Sequence, residues 1–320
     1  MRKFNFAWEH GVAVFLVVAI ALGSGLSEFF ATTDNLSFII QDVAEIAIIA
    51  LAMTYLIIAG EIDLSVASTL NLASAAVGFS FRNGMPFEMA IVVGLLVGLA
   101  CGLLNGYLVT VVGLPSLAVT IGTLALFRGF AWVLLGNEPV NELPENWIVL
   151  GYENIPNTFL PWSTIPVVIL ALLAWVILHY TRIGRWTYAI GINAEAAKFS
   201  GIPVARMKLA LFGVTGLMSG VAGVVYTLRF ASASPDGAVG YELDVIAAVL
   251  FGGVAIAGGL GTLWGVLAAV LSLGVIRSAM QLLDFTGNAL LIVSGALLLI
   301  SVVLPRAIEL VKDRRKSVTV

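Results

Sequence analysis

Thr181-Arg-Ile-Gly-Arg-Trp-Thr-Tyr-Ala-Ile-Gly-Ile-Asn-Ala-Glu-Ala-Ala-Lys-Phe-Ser-Gly-Ile-Pro-Val-Ala-Arg-Met-Lys208 is the longest basic interruption in an otherwise apolar chain. Arg182, Arg185, Lys198, Arg206 and Lys208 carry its positive charge, against the single acid Glu195. Apolar stretches flank it on both sides. A segment this polar cannot cross a bilayer, and its cations assign it to the cytoplasmic face. Asn193 to Ser200 is Ala-rich and predicts a short helix, with Asn193 as N-cap and Gly201 followed by Pro203 as the stop. Two readings are open from spacing alone: a solvated loop, and a surface for docking something cytosolic.

The surroundings of that stretch decide the class. Of 320 residues, 60% are hydrophobic and only 11% are charged, with a mean hydropathy of +1.05. Soluble domains carry about 25% charged residues. The chain is therefore expected to be an all-α polytopic membrane protein, residues 1–320 forming one transmembrane domain. Cys101 is the only cysteine, so no disulfide within the chain and no metal cluster are expected. His10 and His179 fall near span ends and read as interfacial. No A-x-A-like site follows the first apolar run, which is expected to stay as a span.

A helical span needs about 20 apolar residues, fewer where it is broken and buried in protein. The pattern predicts about ten spans, near residues 11–30, 38–59, 66–81, 87–110, 116–136, 163–180, 209–230, 242–257, 263–283 and 288–304. The eighth is short and interrupted by Gly252-Gly253, so protein must shield it. Ten spans put both termini on one side. Arg2, Lys3, the five cations of 181–208, and Arg306, Lys312, Arg314, Arg315 and Lys316 make twelve of the sixteen Lys and Arg. All twelve fall on that side, which the positive-inside rule makes cytoplasmic. On the other lies the loop 137–162, with Glu138, Glu142, Glu145, Glu153, four prolines and no cation. It reads as a solvated external loop or as a contact for an extracytoplasmic partner.

Gly94, Gly98, Gly102 and Gly106 recur every fourth residue, which places them on one helix face. Such a stripe lets a neighbouring backbone approach closely. Spacing leaves open whether the neighbour belongs to this chain or another. Ionisable groups within spans are functional suspects, here Asp42, Glu45, Glu61, Asp63, Arg128, Arg229 and Arg277. Pairing or snorkelling is the structural alternative. No G-x-x-x-x-G-K-[ST], H-E-x-x-H, G-x-S-x-G or S-x-x-K occurs, so neither ATP binding through a P-loop nor an intramembrane enzyme is expected.

Gly60-Glu61-Ile62-Asp63-Leu64-Ser65-Val66-Ala67-Ser68 resembles the G-G-I-D-L-S-V-G-S signature of permease subunits of bacterial ABC sugar importers of the ribose/xylose type. The resemblance continues through Thr120-Ile121-Gly122-Thr123, Phe127-Arg128-Gly129, Ala189-Ile190-Gly191, Asn193, Ala196-Ala197 and Ser200-Gly201-Ile202. It extends through Gly240 to Val249 and ends in Gly252-Gly253 and Gly258-Gly259-Leu260-Gly261-Thr262. Glu61 and Ala67 depart from the usual glycines. The Gly-Glu-Ile-Asp-Leu-Ser form is similar to the rhamnose-type branch, with ribose and furanosyl-autoinducer permeases as close neighbours.

The resemblance implies a transport subunit in the bacterial cytoplasmic membrane that moves a monosaccharide inward, a rhamnose-like deoxyhexose first. It implies a cytosolic ATPase subunit holding ATP-Mg, a second permease, identical or paralogous, and a periplasmic or lipid-anchored sugar-binding protein. No cofactor is expected in this chain, and no nucleic-acid partner. Gly191, Asn193, Ala196, Ala197, Ser200, Gly201 and Arg206 then correspond to the segment coupled to the ATPase. Gly60, Glu61, Asp63, Ser65, Thr120, Thr123, Arg128, Glu242 and Asp244 become candidates for the signature and pathway. The competing class is an ion-coupled secondary transporter of a small polar solute, which would need an essential buried acid such as Asp63 or Glu45.

Overall fold

A computed structural model describes residues 2–286 and parts of 289–303, with side chains from Trp8 onward. The tenth predicted span is described only in part, and the C-terminal cations and the side chains of Arg2 and Lys3 lie outside the described residues. In chain order the helices are α1 (Arg2–Leu26), α2 (Thr33–Asp42), α3 (Ala44–Ile58), α4 (Val66–Arg82), α5 (Phe87–Thr110), α6 (Ser116–Leu135), α7 (Glu145–Tyr152), α8 (Thr164–Tyr180), α9 (Arg182–Ile192), α10 (Ala194–Phe199), α11 (Val204–Arg229), α12 (Tyr241–Phe251) and α13 (Leu263–Leu282). Among the described residues the only β features are two isolated bridges, Val140 with Ala233 and Asn154 with Pro161.

Five of these helices, α1, α5, α6, α11 and α13, are long and apolar enough to cross a membrane. Two bent pairs bring the number to seven: α2 with α3, bent 40°, and α8 with α9, bent 69°. At two further expected spans stand α4, of 17 residues, and α12, of 11. A lipid-facing span takes about 17–25 residues, so α4 is at the lower limit and α12 falls well short. Their residues are instead buried by protein, α4 from Val66 to Gly78 and α12 from Asp244 to Leu250.

Every residue of α3 is buried, so α3 forms the centre of the bundle together with α4 and α12. The surrounding helices show the reverse of a soluble surface. Val17 of α1, Val133 of α6 and Leu172 of α8 point their side chains outward. Cys101 on α5 is buried and free.

The glycine stripe of α5 meets α11 within the same chain, in the most extensive helix contact of the fold. A Cβ on Gly98 would lie 2.6 Å from the Gly216 carbonyl oxygen and 2.8 Å from the Gly220 Cα. Gly102 faces the Phe212 carbonyl and Gly216 in the same way, while Gly94 abuts Val77 and Ala73 of α4 and Gly106 abuts Leu209 and Phe212. With no side chains between them the two backbones touch, and dispersion over that length replaces the hydrophobic drive that lipid removes.

Two expected loops contain unexpected helix. The 137–162 connection holds α7, started by Pro144, and its Gly151 lies against the backbone of Leu228 on α11. Trp147 and Ile148 pack on a second apolar cluster and hold α7 against the bundle, while most of 137–162 stays exposed. In 181–208 the chain after α8 turns at Thr181, whose hydroxyl accepts from the Ile183 N–H at 3.2 Å and starts α9. Asn193 then caps α10, its Oδ1 accepting from the Ala196 N–H at 2.9 Å.

Replacing Gly102 by Ala forces α5 from α11 and is expected to cost about 1–3 kcal/mol. Gly122, on an open face of α6, should tolerate Ala with no loss. Thermal unfolding of the two purified variants in detergent compares them directly.

Candidate functional site

The expected site residues divide between the two ends of α11, whose 26 residues separate those ends by roughly 39 Å. At the α11 N-terminal end two irregular stretches, 60–65 after α3 and 255–262 after α12, meet the α9–α10 segment. Gly191 of α9 sits directly on the Ile58 carbonyl and the Gly259 amide, so no side chain fits there. The Gly259 N–H donates to the Ile58 carbonyl at 2.8 Å, and the Tyr188 hydroxyl donates to the Gly261 carbonyl at 2.7 Å. Gly253, Gly258, Gly259 and Gly261 all have positive φ. This explains their glycines, and neighbouring protein meets the backbone groups that the end of α12 releases.

Asp63 and Ser65 form a buried polar knot at the start of α4. Asp63 Oδ1 accepts from the Ser65 N–H at 2.8 Å and from its hydroxyl at 2.6 Å. Asn105 of α5 donates through Nδ2 to Ser65 Oγ at 2.8 Å and to Asp63 Oδ2 at 3.3 Å. The carboxylate thus holds the first turn of α4 and ties it to α5. Asn105 is not among the residues expected from the sequence; it stands one position before Gly106 in the glycine stripe, where a polar side chain among apolar neighbours was the available sign. Glu61 forms an ion pair with Lys208 of α11. Gly60 makes the turn before it with φ +82°.

Thr120 Oγ1 donates to the Ser116 carbonyl at 2.9 Å, an ordinary back-bond along α6, and reaches the Ile62 carbonyl at 3.5 Å. Thr123 Oγ1 donates to the Thr120 carbonyl at 3.4 Å. In 193–206, Ala197 is buried, Ser200 Oγ donates to the Ala196 carbonyl at 2.9 Å, and Gly201 has φ +82°. Ala196 supplies the capped N–H, and Arg206 is exposed on the first turn of α11. Phe199, at the end of α10, is 90% exposed beside these polar residues.

At the opposite end, five charged side chains from α2, α3, α11, α12 and α13 meet in the protein interior. Arg229 donates to Asp42 at 2.8 Å and to Glu45 at 3.2 Å. Arg277 pairs with Asp244 and lies 3.7 Å from Asp42. Each charge has a partner of opposite sign, as burial in low dielectric demands. Glu45 is wholly inaccessible, yet its guanidinium partner gives it a structural role. Glu242 lies in the first turn of α12 outside this cluster, its Oε2 inaccessible and without a hydrogen-bond partner among the described residues. Arg128 stands apart on α6, with Nε and Nη2 inaccessible and without an acceptor among the described residues. The structure therefore does not gather the expected pathway residues into one cavity. Among the described residues no group of His, Cys, Asp and Glu could hold a metal ion.

A family model described as branched-chain amino acid transport system / permease component matches residues 35–302. The chain is 36% identical over 305 residues to the ribose import permease protein RbsC of Bacillus subtilis (strain 168), covering 94% of this chain and 91% of that one. It is 35% identical over 305 residues to RbsC of Escherichia coli (strain K12), covering 94% and 95%. It is also 34% identical over 321 residues to the autoinducer 2 import system permease protein LsrD of Escherichia coli O9:H4 (strain HS), covering 98% and 96%. No solved structure gives a significant match.

Removing Arg229 leaves Glu45 without its guanidinium and Asp42 with only the longer contact to Arg277. Arg229→Met is expected to destabilise the protein by about 3–5 kcal/mol. Adding Glu45→Gln to that variant should return part of the loss, read as a rise in melting temperature of the double variant over the single one.

Proposed function

The chain belongs to the family of branched-chain amino acid transport system permease components, and on that premise we propose that it is the membrane-spanning subunit of an ATP-binding cassette importer for a monosaccharide. The observation that carries this reading is full-length similarity to proteins named as ribose and autoinducer 2 import permeases. In this reading residues 1–320 form one permease domain of about ten spans in the bacterial cytoplasmic membrane, with both termini in the cytoplasm. Two permease subunits frame the pathway. ATP-Mg is held and hydrolysed on a separate cytosolic subunit, and a sugar-binding protein delivers cargo to the face that carries 137–162.

The cargo follows from the relatives more than from the motif. Glu61, the residue that suggested a rhamnose-like sugar, is engaged with Lys208. Its departure from glycine is then explained by local pairing and says little about cargo. Ribose or the furanosyl autoinducer is favoured, with a rhamnose-like deoxyhexose behind them. Growth of a deletion strain on each compound as sole carbon source separates the three. The ion-coupled alternative loses support because Glu45 is paired with Arg229 and Asp63 is occupied in starting α4.

The segment 181–208 supports coupling to the ATPase. α9 rests on the end of α3 and on Gly259, so displacement of α9 bears directly on buried elements. Beyond it α10 presents Phe199 outward, an aromatic anchor of the kind that dominates protein interfaces. In proteoliposomes containing the partner permease, ATPase and binding protein, Phe199→Ala is expected to weaken ATPase association at least about ten-fold. Scrambling 193–200 should abolish uptake while leaving the permease folded. Uptake that survives the scramble overturns the coupling role, and uptake driven without nucleotide overturns the transporter class.

A further inference from the structure

Residues 231–240 connect α11 to α12 on the face opposite 181–208, without forming helix. They do not run over the surface as a connection normally does. Ala233, Pro235, Gly237 and Ala238 are buried. A Cβ built on Gly78 of α4 would lie 2.5 Å from the Ala233 Cβ, so Ala233 rests directly on α4. Deeper still, the Pro235 carbonyl accepts from Asn71 Nδ2 at 2.6 Å. Asn71 lies roughly 17 Å of helix below Arg82, the outer end of α4. The connection therefore plugs the bundle from that face and covers α4 at its buried polar residue.

The plugged arrangement is unfavourable in two ways. Ala231 and Ala238, at φ +48° and +54°, hold the left-handed conformation that a Cβ opposes. Asn71 Oδ1 is inaccessible and has no donor among the described residues. The Gly237 backbone packs on that oxygen so closely that a Cβ would stand 2.8 Å from it. Few bonds hold the segment down. Ala233 and Val140 exchange two backbone hydrogen bonds at 2.9 Å. Ser232 Oγ donates to Asn141 Oδ1 at 2.6 Å, and the Ala238 N–H donates to the Tyr226 hydroxyl at 3.3 Å. The flanks are fixed by contrast, because Arg229 and Asp244, just outside the two alanines, belong to the buried ion cluster.

On the transport reading, we propose that 231–240 is a movable stopper that lifts off α4 about Ala231 and Ala238 to admit cargo from the outer face. Lifting relaxes both alanines and frees the Asn71 amide to meet water or the hydroxyl groups of cargo, while the ion cluster stays intact. The stopper is bridged to Val140 and Asn141. These belong to the loop 137–162, on the face to which the binding protein delivers, so docking there pulls on the stopper directly. A fixed connection between two helices would need neither the burial nor the left-handed alanines.

Cross-linking tests this. Asn141→Cys/Ser232→Cys puts two thiols where the amide and hydroxyl now meet, and the native Cys101 is buried. In proteoliposomes with the partner permease, ATPase and binding protein, a short bis-methanethiosulfonate linker should slow ATP-driven uptake at least about ten-fold, as locking a lid does. Dithiothreitol should restore uptake, and a monofunctional reagent on the same cysteines should leave it unchanged. Asn71→Cys reports the motion itself: an impermeant methanethiosulfonate applied from outside should modify it faster during turnover than without nucleotide. Ser74→Cys, about one turn nearer the outer face, gives the same readout if the first variant does not fold. Undiminished uptake by the cross-linked protein overturns the proposal and makes 231–240 a fixed connection. So does a cysteine that stays unmodified at both positions throughout turnover. An unaltered complex that takes up none of ribose, rhamnose and the furanosyl autoinducer removes the transport reading itself, and the stopper with it.

Discussion

The bundle depends on one close approach, that of α5 to α11 along glycines. Gly98 and Gly102 face Gly216 and Gly220 with backbone against backbone. Between helices in lipid, apolar side chains gain little by meeting each other, because the surrounding acyl chains are equally apolar. Attraction must come from the number of atoms brought within contact distance, and absent side chains maximise it. Once α5 and α11 are clasped, α4 is held against both, with Ser74 and Thr227 hydrogen-bonded at 2.7 Å across the α4–α11 seam.

The second constraint is that polar groups must be satisfied inside the protein. α4 carries Ser68, Thr69, Asn71 and Ser74 in buried positions. Asn71 donates to the Pro235 carbonyl at 2.6 Å, and Ser68 to the Ser65 carbonyl at 2.8 Å. The Asp42–Glu45–Arg229–Arg277–Asp244 cluster applies the same rule to full charges and fastens the ends of five helices. The broken end of α12 applies it to backbone. Its released groups find Ile58 and Tyr188, so α3 and α9 are drawn to it.

Much of this architecture was legible in the chain itself. Long apolar runs mark the helices because lipid exposure demands composition as well as periodicity. The four-residue glycine spacing marks a contact face, and Gly252-Gly253 marks the end of α12. Other features resist reading. Helices α7 and α9 were hidden because their polar residues resemble loops, and only the docking of Gly151 and Gly191 on neighbouring backbone accounts for their placement. The charged residues could be named singly, but their pairing joins positions as distant as Asp42 and Arg277, which no local pattern encodes. Asn105 was hidden within a stripe read only for its glycines. The partner of Glu61, 147 residues away, changes its meaning from a specificity mark to a local tie.

The position of Cys101 has a practical consequence. The sole thiol of the chain projects from α5 into an apolar cluster of the bundle, at 7% exposure, beyond easy reach of a water-soluble maleimide. The native sequence is therefore already a near-silent background for labelling. A single cysteine introduced at an outward position such as Val239 or Ile192 would carry the reporter alone, allowing membrane sidedness to be mapped without first rebuilding the protein.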